Sequence, residues 1–225
     1  MKKYLSLLIF SALIPCLSAN EKVWRVMPVG DSITEGGSTF TCYRAPLAKM
    51  VQEEKLPVKF VGSKSTPSPF GPLAHEGYGG KNSNFLASVV PKNFAKHPAD
   101  VVLLHACHNQ FADQKPIPSV LADHRAMIAA FRKIQPAVII LLAKPIHSGK
   151  LPKYAYLPEL GNALEDLAKE LHTEKQPVIL VDHASGFDWK IDAIADHVHP
   201  NEKGGTKMAE VWMNALRPIV SPPKK

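Results

Sequence analysis

Apolar residues fall in short runs along the chain, and the runs alternate between two periods. Val23 to Val29 is short, mostly apolar and reads as a strand, whereas Tyr43 to Lys55 places Leu47, Met50 and Val51 at helical spacing until Pro57 stops it. Val58 to Val61 is again strand-like. Asp100 to Ala106 and Ala137 to Ala143 are near-continuous apolar runs, the pattern of central parallel strands covered on both faces. Val178 to Val181 adds another strand. Helical periodicity returns in Ser119 to Gln135, Leu157 to Lys175 and Glu202 to Leu216, and Asn82 caps a helix through Phe85, Leu86 and Val89 that Pro91 should interrupt. Between them, Gly62 to Gly80 is rich in proline and glycine and reads as one long loop, a length that inside a compact domain usually carries function or is disordered.

Strands alternating with helices imply a parallel sheet with right-handed crossovers and helices on both faces. The expectation is an α/β fold, a three-layer α/β/α sandwich around five parallel strands. Residues 20–225 form one domain of roughly 205 residues, enough for a full core. Residues 1–19 have the order of a secretory signal peptide: Lys2 and Lys3, the apolar run Tyr4 to Leu17, then small residues before a cleavage point near Ala19 or Asn20. A lipoprotein reading of Leu13-Ile14-Pro15-Cys16 is disfavoured by Pro15, which stands where a small residue is required. The apolar run is short for a membrane span, and no later stretch reaches the roughly 18 to 20 apolar residues that one needs. The expected product is secreted or periplasmic, without stable membrane insertion.

Charge narrows the partners. The net charge of +7 becomes +5 once Lys2 and Lys3 are set aside, and the excess is dispersed rather than gathered into a basic stripe, so nucleic acid is not an expected partner. Lys203, Lys207, Lys224 and Lys225 read as solvated surface charge. Outside the presequence only Cys42 and Cys107 remain; two separate buried thiols are the leading reading and one disulfide the alternative.

Four stretches lie past the expected carboxyl ends of strands or in the long loop, where open parallel sheets bind ligands: Gly30-Asp31-Ser32, His75-Glu76-Gly77-Tyr78-Gly79-Gly80, His105-Ala106-Cys107-His108-Asn109 and Asp196-His197-Val198-His199-Pro200-Asn201. In this order they resemble the SGNH hydrolase superfamily, the GDSL-type esterases, across essentially the whole mature chain. The spellings GDSITEGG, HEGYGG and DHVHPN look most like the secreted carbohydrate esterases that remove acetyl groups from glycans.

That resemblance implies a serine esterase acting on O-acyl, chiefly O-acetyl, esters of a carbohydrate, with no cofactor. Ser32 would be the nucleophile, His199 its base and Asp196 the acid that orients the imidazole. The oxyanion would be held by the N–H groups of Ser32 and Gly80 and the side-chain amide of Asn109, with Gly79 competing with Gly80. The third motif departs from the usual Gly-x-Asn-Asp, having Cys107 and Gln110 in place of the glycine and the acid. The related alternatives are a lysophospholipase or thioesterase with the same triad, and a glycan-binding protein impaired in turnover.

Within the motifs, Asp31, His75, Tyr78, His108 and His197 are candidates for touching substrate. His105 reads as a polar residue ending a core strand, and His97, His124, His147, His172 and His183 as surface residues. No ligand spacing for a metal stands out among the ten histidines.

Overall fold

A computed structural model of the chain describes residues 22–40 and 42–221; the expected presequence, 1–19, lies outside the described residues. In chain order the strands are β1 (Trp24–Gly30), β2 (Val58–Phe60), β3 (Lys64–Thr66), β4 (Leu73–Gly77), β5 (Val101–His105), β6 (Ile139–Lys144) and β7 (Val178–Asp182). The helices are α1 (Ser32–Glu35), α2 (Arg44–Glu53), α3 (Ser83–Lys96), α4 (Ile117–Ile134), α5 (Leu157–Leu171), α6 (Trp189–Asp192) and α7 (Glu202–Val220).

The sheet runs β3-β4-β1-β5-β6-β7 and has seven strands, because β2 also pairs with β1. Two strands share one edge of β1: β2 pairs with Trp24 to Val26, and β4 pairs farther along, with Val29 and Gly30. The five expected strands, β1, β2, β5, β6 and β7, are all present and pair in parallel. The stretch from Gly62 to Gly80 is not one long loop, since it contains β3, antiparallel to β4, and β4, parallel to β1. Only three residues of β3 and two register pairs of β1 with β4 are involved, too few to impose a period on a stretch full of turn formers.

Alternate residues of the central strands point to opposite faces, as the strand period requires. Met27, Val102, Leu104, Ile140 and Leu142 pack with Leu86, Phe94, Met127, Phe131 and Leu160 from α3, α4 and α5. Val26, Val101, Leu103 and Leu141 pack with Leu47, Met208, Trp212 and Leu216 from α2 and α7. Each such large side chain contributes about 1.5–3 kcal/mol on burial, so both layers hold the sheet by its faces and leave its carboxyl ends open. Pro91 does not interrupt α3, because Leu86, Val90 and Phe94 are buried on one face across it and offset the single missing N–H bond.

His124 and His183 are not on the surface. Both are buried, with His124 Nδ1 2.8 Å from the Val120 carbonyl and His183 lying 4.4 Å from the Trp212 ring. Cys42 and Cys107 are separate free thiols, Cys107 buried and Cys42 half-buried. No described helix is long and apolar enough to cross a membrane.

Candidate active site

The carboxyl end of β1 turns at Asp31 into the one-turn helix α1, which starts with Ser32. Asp31 sets that turn: its Oδ1 accepts the Ile33 N–H at 3.0 Å, capping the helix, while Oδ2 accepts the His108 N–H at 3.1 Å from beyond β5. Two motifs far apart in sequence are thereby fixed to one carboxylate. Burial is complete and pushes the Asp31 carboxyl up to about 6, against the two N–H bonds that favour its charge.

Ser32 Oγ lies 2.8 Å from His199 Nε2, and His199 Nδ1 lies 2.5 Å from Asp196 Oδ2. The other oxygen of Asp196 accepts the N–H groups of Val198 and His199, at 2.9 and 3.0 Å, so the acid and the imidazole are held by their own loop. Partial burial opposes the charge on Asp196, but the bonds from the His199 ring and the two amides outweigh it and hold the carboxyl below its ordinary range. Asn201 closes the same loop by capping α7 at the Gly204 N–H, 3.0 Å away. Phe40 covers one face of the imidazole, ring centroids 4.1 Å apart and nearly parallel. Sequence reasoning missed Phe40, which sits in an irregular segment without period.

Gly79 and Gly80 follow β4. The Gly79 N–H is occupied, donating to Glu35 Oε2 at 2.5 Å, and a Cβ on Gly79 would fall 2.5 Å from that same oxygen and 3.9 Å from the Ser32 Cβ. Gly80 needs to be glycine for its backbone, at φ +72, rather than for crowding, since a Cβ there would meet nothing within 4 Å. Geometry separates the two candidates: of this pair, it is Gly80 whose N–H has no such carboxylate partner.

Glu35 ends the helix that Ser32 begins. Its Oε1 pairs with Lys64 Nζ on β3, and the same ammonium donates to the Gly77 carbonyl at 2.8 Å. Buried Arg44 adds bonds to the carbonyls of Thr34 and Glu35, both 2.6 Å, and to that of Leu73, 3.2 Å. The helix that Ser32 begins and the glycine loop are thus clamped together by residues from β3 and α2.

Asn109 adopts a left-handed φ of +65 and donates from Nδ2 to the Lys81 carbonyl, 3.1 Å away, with the Tyr154 hydroxyl 3.5 Å from its Oδ1. The amide is therefore oriented without the usual following acid. Gln110 serves a different purpose, since its amide donates to Ser83 Oγ at 2.8 Å and Ser83 in turn donates to Asp123 Oδ2 at 2.6 Å, tying the motif to α3 and α4. Cys107 is buried, which pushes its thiol up, and its carbonyl accepts the Tyr156 hydroxyl at 2.9 Å.

Most of the candidate substrate contacts are internal supports instead. Asp31, His75 and His108 are buried. His75 Nδ1 accepts the Gly77 N–H at 2.9 Å and its Nε2 lies 3.1 Å from Thr66 Oγ1; burial, then Arg44 and Lys64, bring its pKa down to about 3. Tyr78 is half-buried and donates its hydroxyl proton to Glu76 Oε2 at 2.7 Å. His197 is exposed, with its ring 5.0 Å from that of Trp189. Short polar residues around a motif satisfy its loops as readily as they touch ligands, and spacing alone does not separate the two.

Asp31, His105 and His108 bring a carboxylate oxygen and two ring nitrogens within 4.8 Å of one another, all buried. Within it, His108 Nδ1 lies 3.9 Å from Asp31 Oδ2. Burial lowers the His105 pKa to about 4 and that of His108 well below its ordinary value, so both rings are neutral parts of the core.

Among solved structures, a serine-to-alanine mutant of an acetyl esterase with an acetate ion superposes with a TM-score of 0.79 at 24% identity, over 88% of this chain and 98% of that one. A carbohydrate esterase family 3 protein from Talaromyces cellulolyticus gives 0.79 at 25% identity, over 88% and 98%. A family 3 carbohydrate esterase from Clostridium thermocellum gives 0.76 at 24%, over 89% and 100%. No curated protein matches the chain in sequence. The sequence profile of the GDSL-like lipase/acylhydrolase family matches residues 29–206, from the strand before Ser32 to the helix after His199. The chain belongs to that family and is a serine ester hydrolase.

Proposed function

We propose that the chain is a secreted carbohydrate esterase that removes short acyl groups, acetyl above all, through Ser32, His199 and Asp196. The observation that carries this reading is the unbroken line from Asp196 Oδ2 to His199 Nδ1 at 2.5 Å and from His199 Nε2 to Ser32 Oγ at 2.8 Å. Asp196 fixes the tautomer with its lone pair toward Ser32, and the imidazole takes the hydroxyl proton as Oγ attacks the acyl carbonyl. The N–H groups of Ser32 and Gly80 and the Asn109 amide receive the negative charge that develops on the carbonyl oxygen. His199 then returns the proton to the leaving sugar hydroxyl, and a water deprotonated by the same ring cleaves the acyl-enzyme.

The choice of a carbohydrate ester follows the structural neighbours, an acetyl esterase and two carbohydrate esterases. Export follows the presequence pattern of residues 1–19. Ser32→Ala is expected to lower p-nitrophenyl acetate hydrolysis by about 10⁴-fold or more, and a fluorophosphonate is expected to label Ser32. Equal rates in the two proteins, or a chain-length series peaking at long acyl esters, would refute the reading.

A further inference from the structure

Asn109 is held between two segments, and each carries a lysine at the point of contact. Lys81 supplies the carbonyl that the Asn109 amide donates to, and Lys153 immediately precedes Tyr154, whose hydroxyl faces Asn109 Oδ1. Some lysines meet acids: Lys64 meets Glu35, Lys144 and Lys169 meet Glu165, and Lys207 meets Asp192. Lys81 and Lys153 have no acid partner among the described residues and, like Lys22 and Lys190, lie over aromatic rings; what sets them apart is their place beside Asn109. Lys153 Nζ is 5.0 Å from the Tyr154 ring and 5.0 Å from that of Phe111, and Lys81 Nζ is 5.1 Å from that of Phe85.

Phe111 itself stands two residues beyond Asn109 and is 49% exposed, the one aromatic among the exposed large apolar side chains of the described residues. An aromatic face open to solvent beside a serine esterase site matches the C–H face of a sugar ring. An ammonium without a protein carboxylate, set on that ring, keeps its donors for something outside. The positive charge of Lys153 also reaches inward, adding to burial and to His105, His199 and His147 in opposing protonation of His108. Asp113 is the acid in the short 3-10 turn after Phe111, and Lys115 caps that turn.

We propose that the rim formed by Lys81, Phe111 and Lys153 binds an anionic group, a carboxylate or sulfate, on the sugar that carries the ester. This rests on the esterase reading above and sharpens it from carbohydrate to acidic carbohydrate. A neutral glycan would leave both ammonium groups idle, whereas an acidic residue stacked on Phe111 would bring its anion to Lys153 with the ester toward Ser32.

The test compares three substrates: acetylated oligogalacturonides, acetylated sulfated oligosaccharides and acetylated xylo-oligosaccharides. The expected wild-type kcat/KM is about tenfold higher on an acidic substrate than on the neutral one, and the ratio should shrink as ionic strength rises from about 0.01 to about 0.15 M, where the screening length falls from roughly 30 to roughly 8 Å. Lys81→Ala with Lys153→Ala should bring the ratio close to one, and Lys153→Arg should restore most of it. Which acidic substrate leads separates carboxylate from sulfate. A neutral preference, or a ratio indifferent to salt and to both lysines, overturns the proposal. Calorimetric binding of the acetylated oligogalacturonide and the sulfated oligosaccharide to Ser32→Ala, with and without the lysine substitutions, reads the rim without turnover. Loss of binding with the lysines supports it even if the wild type proves inert as an esterase, and binding to neither, or binding unchanged by the lysines, overturns it.

Discussion

Glu35→Ala should damage the reaction without touching any group that meets substrate. Glu35 Oε2 accepts the Gly79 N–H at 2.5 Å, and its other oxygen holds Lys64, which reaches on to the Gly77 carbonyl. A hydrogen bond to a charged group is worth about 1.5–3 kcal/mol, and the half-exposed Lys64 pair adds up to about 1 kcal/mol after solvent screening. Removing the carboxylate frees the Gly79-Gly80 turn from the helix that starts at Ser32. Complete loss of one oxyanion donor costs about 10²–10³ in kcat; a donor that still visits its place part of the time should cost about 10- to 100-fold. The expected result is that fall in kcat on p-nitrophenyl acetate, with KM changed by less than about twofold, because the donor acts on the transition state. Tm should fall by roughly 4–8 °C, from about 2 kcal/mol in a domain of this size. Glu35→Gln keeps an acceptor for Gly79 and should recover most of the activity. A folded Glu35→Ala protein within about twofold of wild-type kcat, or a Glu35→Gln protein as impaired as the alanine variant, would refute the clamp.

Two further outcomes follow from the same geometry. Asp196→Asn should lower kcat by about 10³-fold or more with little change in KM, since an amide in place of the carboxylate no longer fixes the His199 tautomer; steady-state kinetics on the same ester would check it, and a loss under about tenfold would refute the role. Stability should fall as pH drops from 7 to 5. The histidines at 105 and 75 go from an ordinary 6.5 to about 4 and about 3 in the folded chain, and His108 and His183 lie well below it, so the unfolded chain takes up protons that the folded one refuses. The rings at 105 and 75 each remove about 2 kcal/mol by pH 5, and His108 and His183 act in the same direction. Asp31, raised to about 6, works the other way in this window but is one group against six, since burial also lowers His124 and His147. Urea melts giving equal stability at pH 7 and pH 5 would contradict this.

The strands legible in sequence were those long enough to show a period. β5 and β6 are continuous apolar runs, while β3 and β4 are short, mixed and set among prolines and glycines. His124 had a signal that polarity obscured: it shares the buried stripe of α4 with Val120, Met127, Ile128 and Phe131, at spacings of three and four. The line from Ser32 to Asp196 was legible because both ends sit in compact motifs. Support by Lys64, Arg44 and Tyr154 was not, because each reaches its partner across the fold from a segment with no motif of its own. The altered third motif is the instructive case: Gln110 reads as a lost acid in sequence, and the structure shows a bond to Ser83 in its place.

The division of β1 between two neighbours has a bearing on which part of this chain can vary. Because β4 pairs with Val29 and Gly30 while β2 occupies the earlier half of the same edge, the turn bearing Gly80 takes its position from a ladder and not from the length of chain that precedes it. Residues 67–71, which join β3 to β4, can therefore lengthen, shorten or change composition while the turn bearing Gly80 stays in register with Ser32.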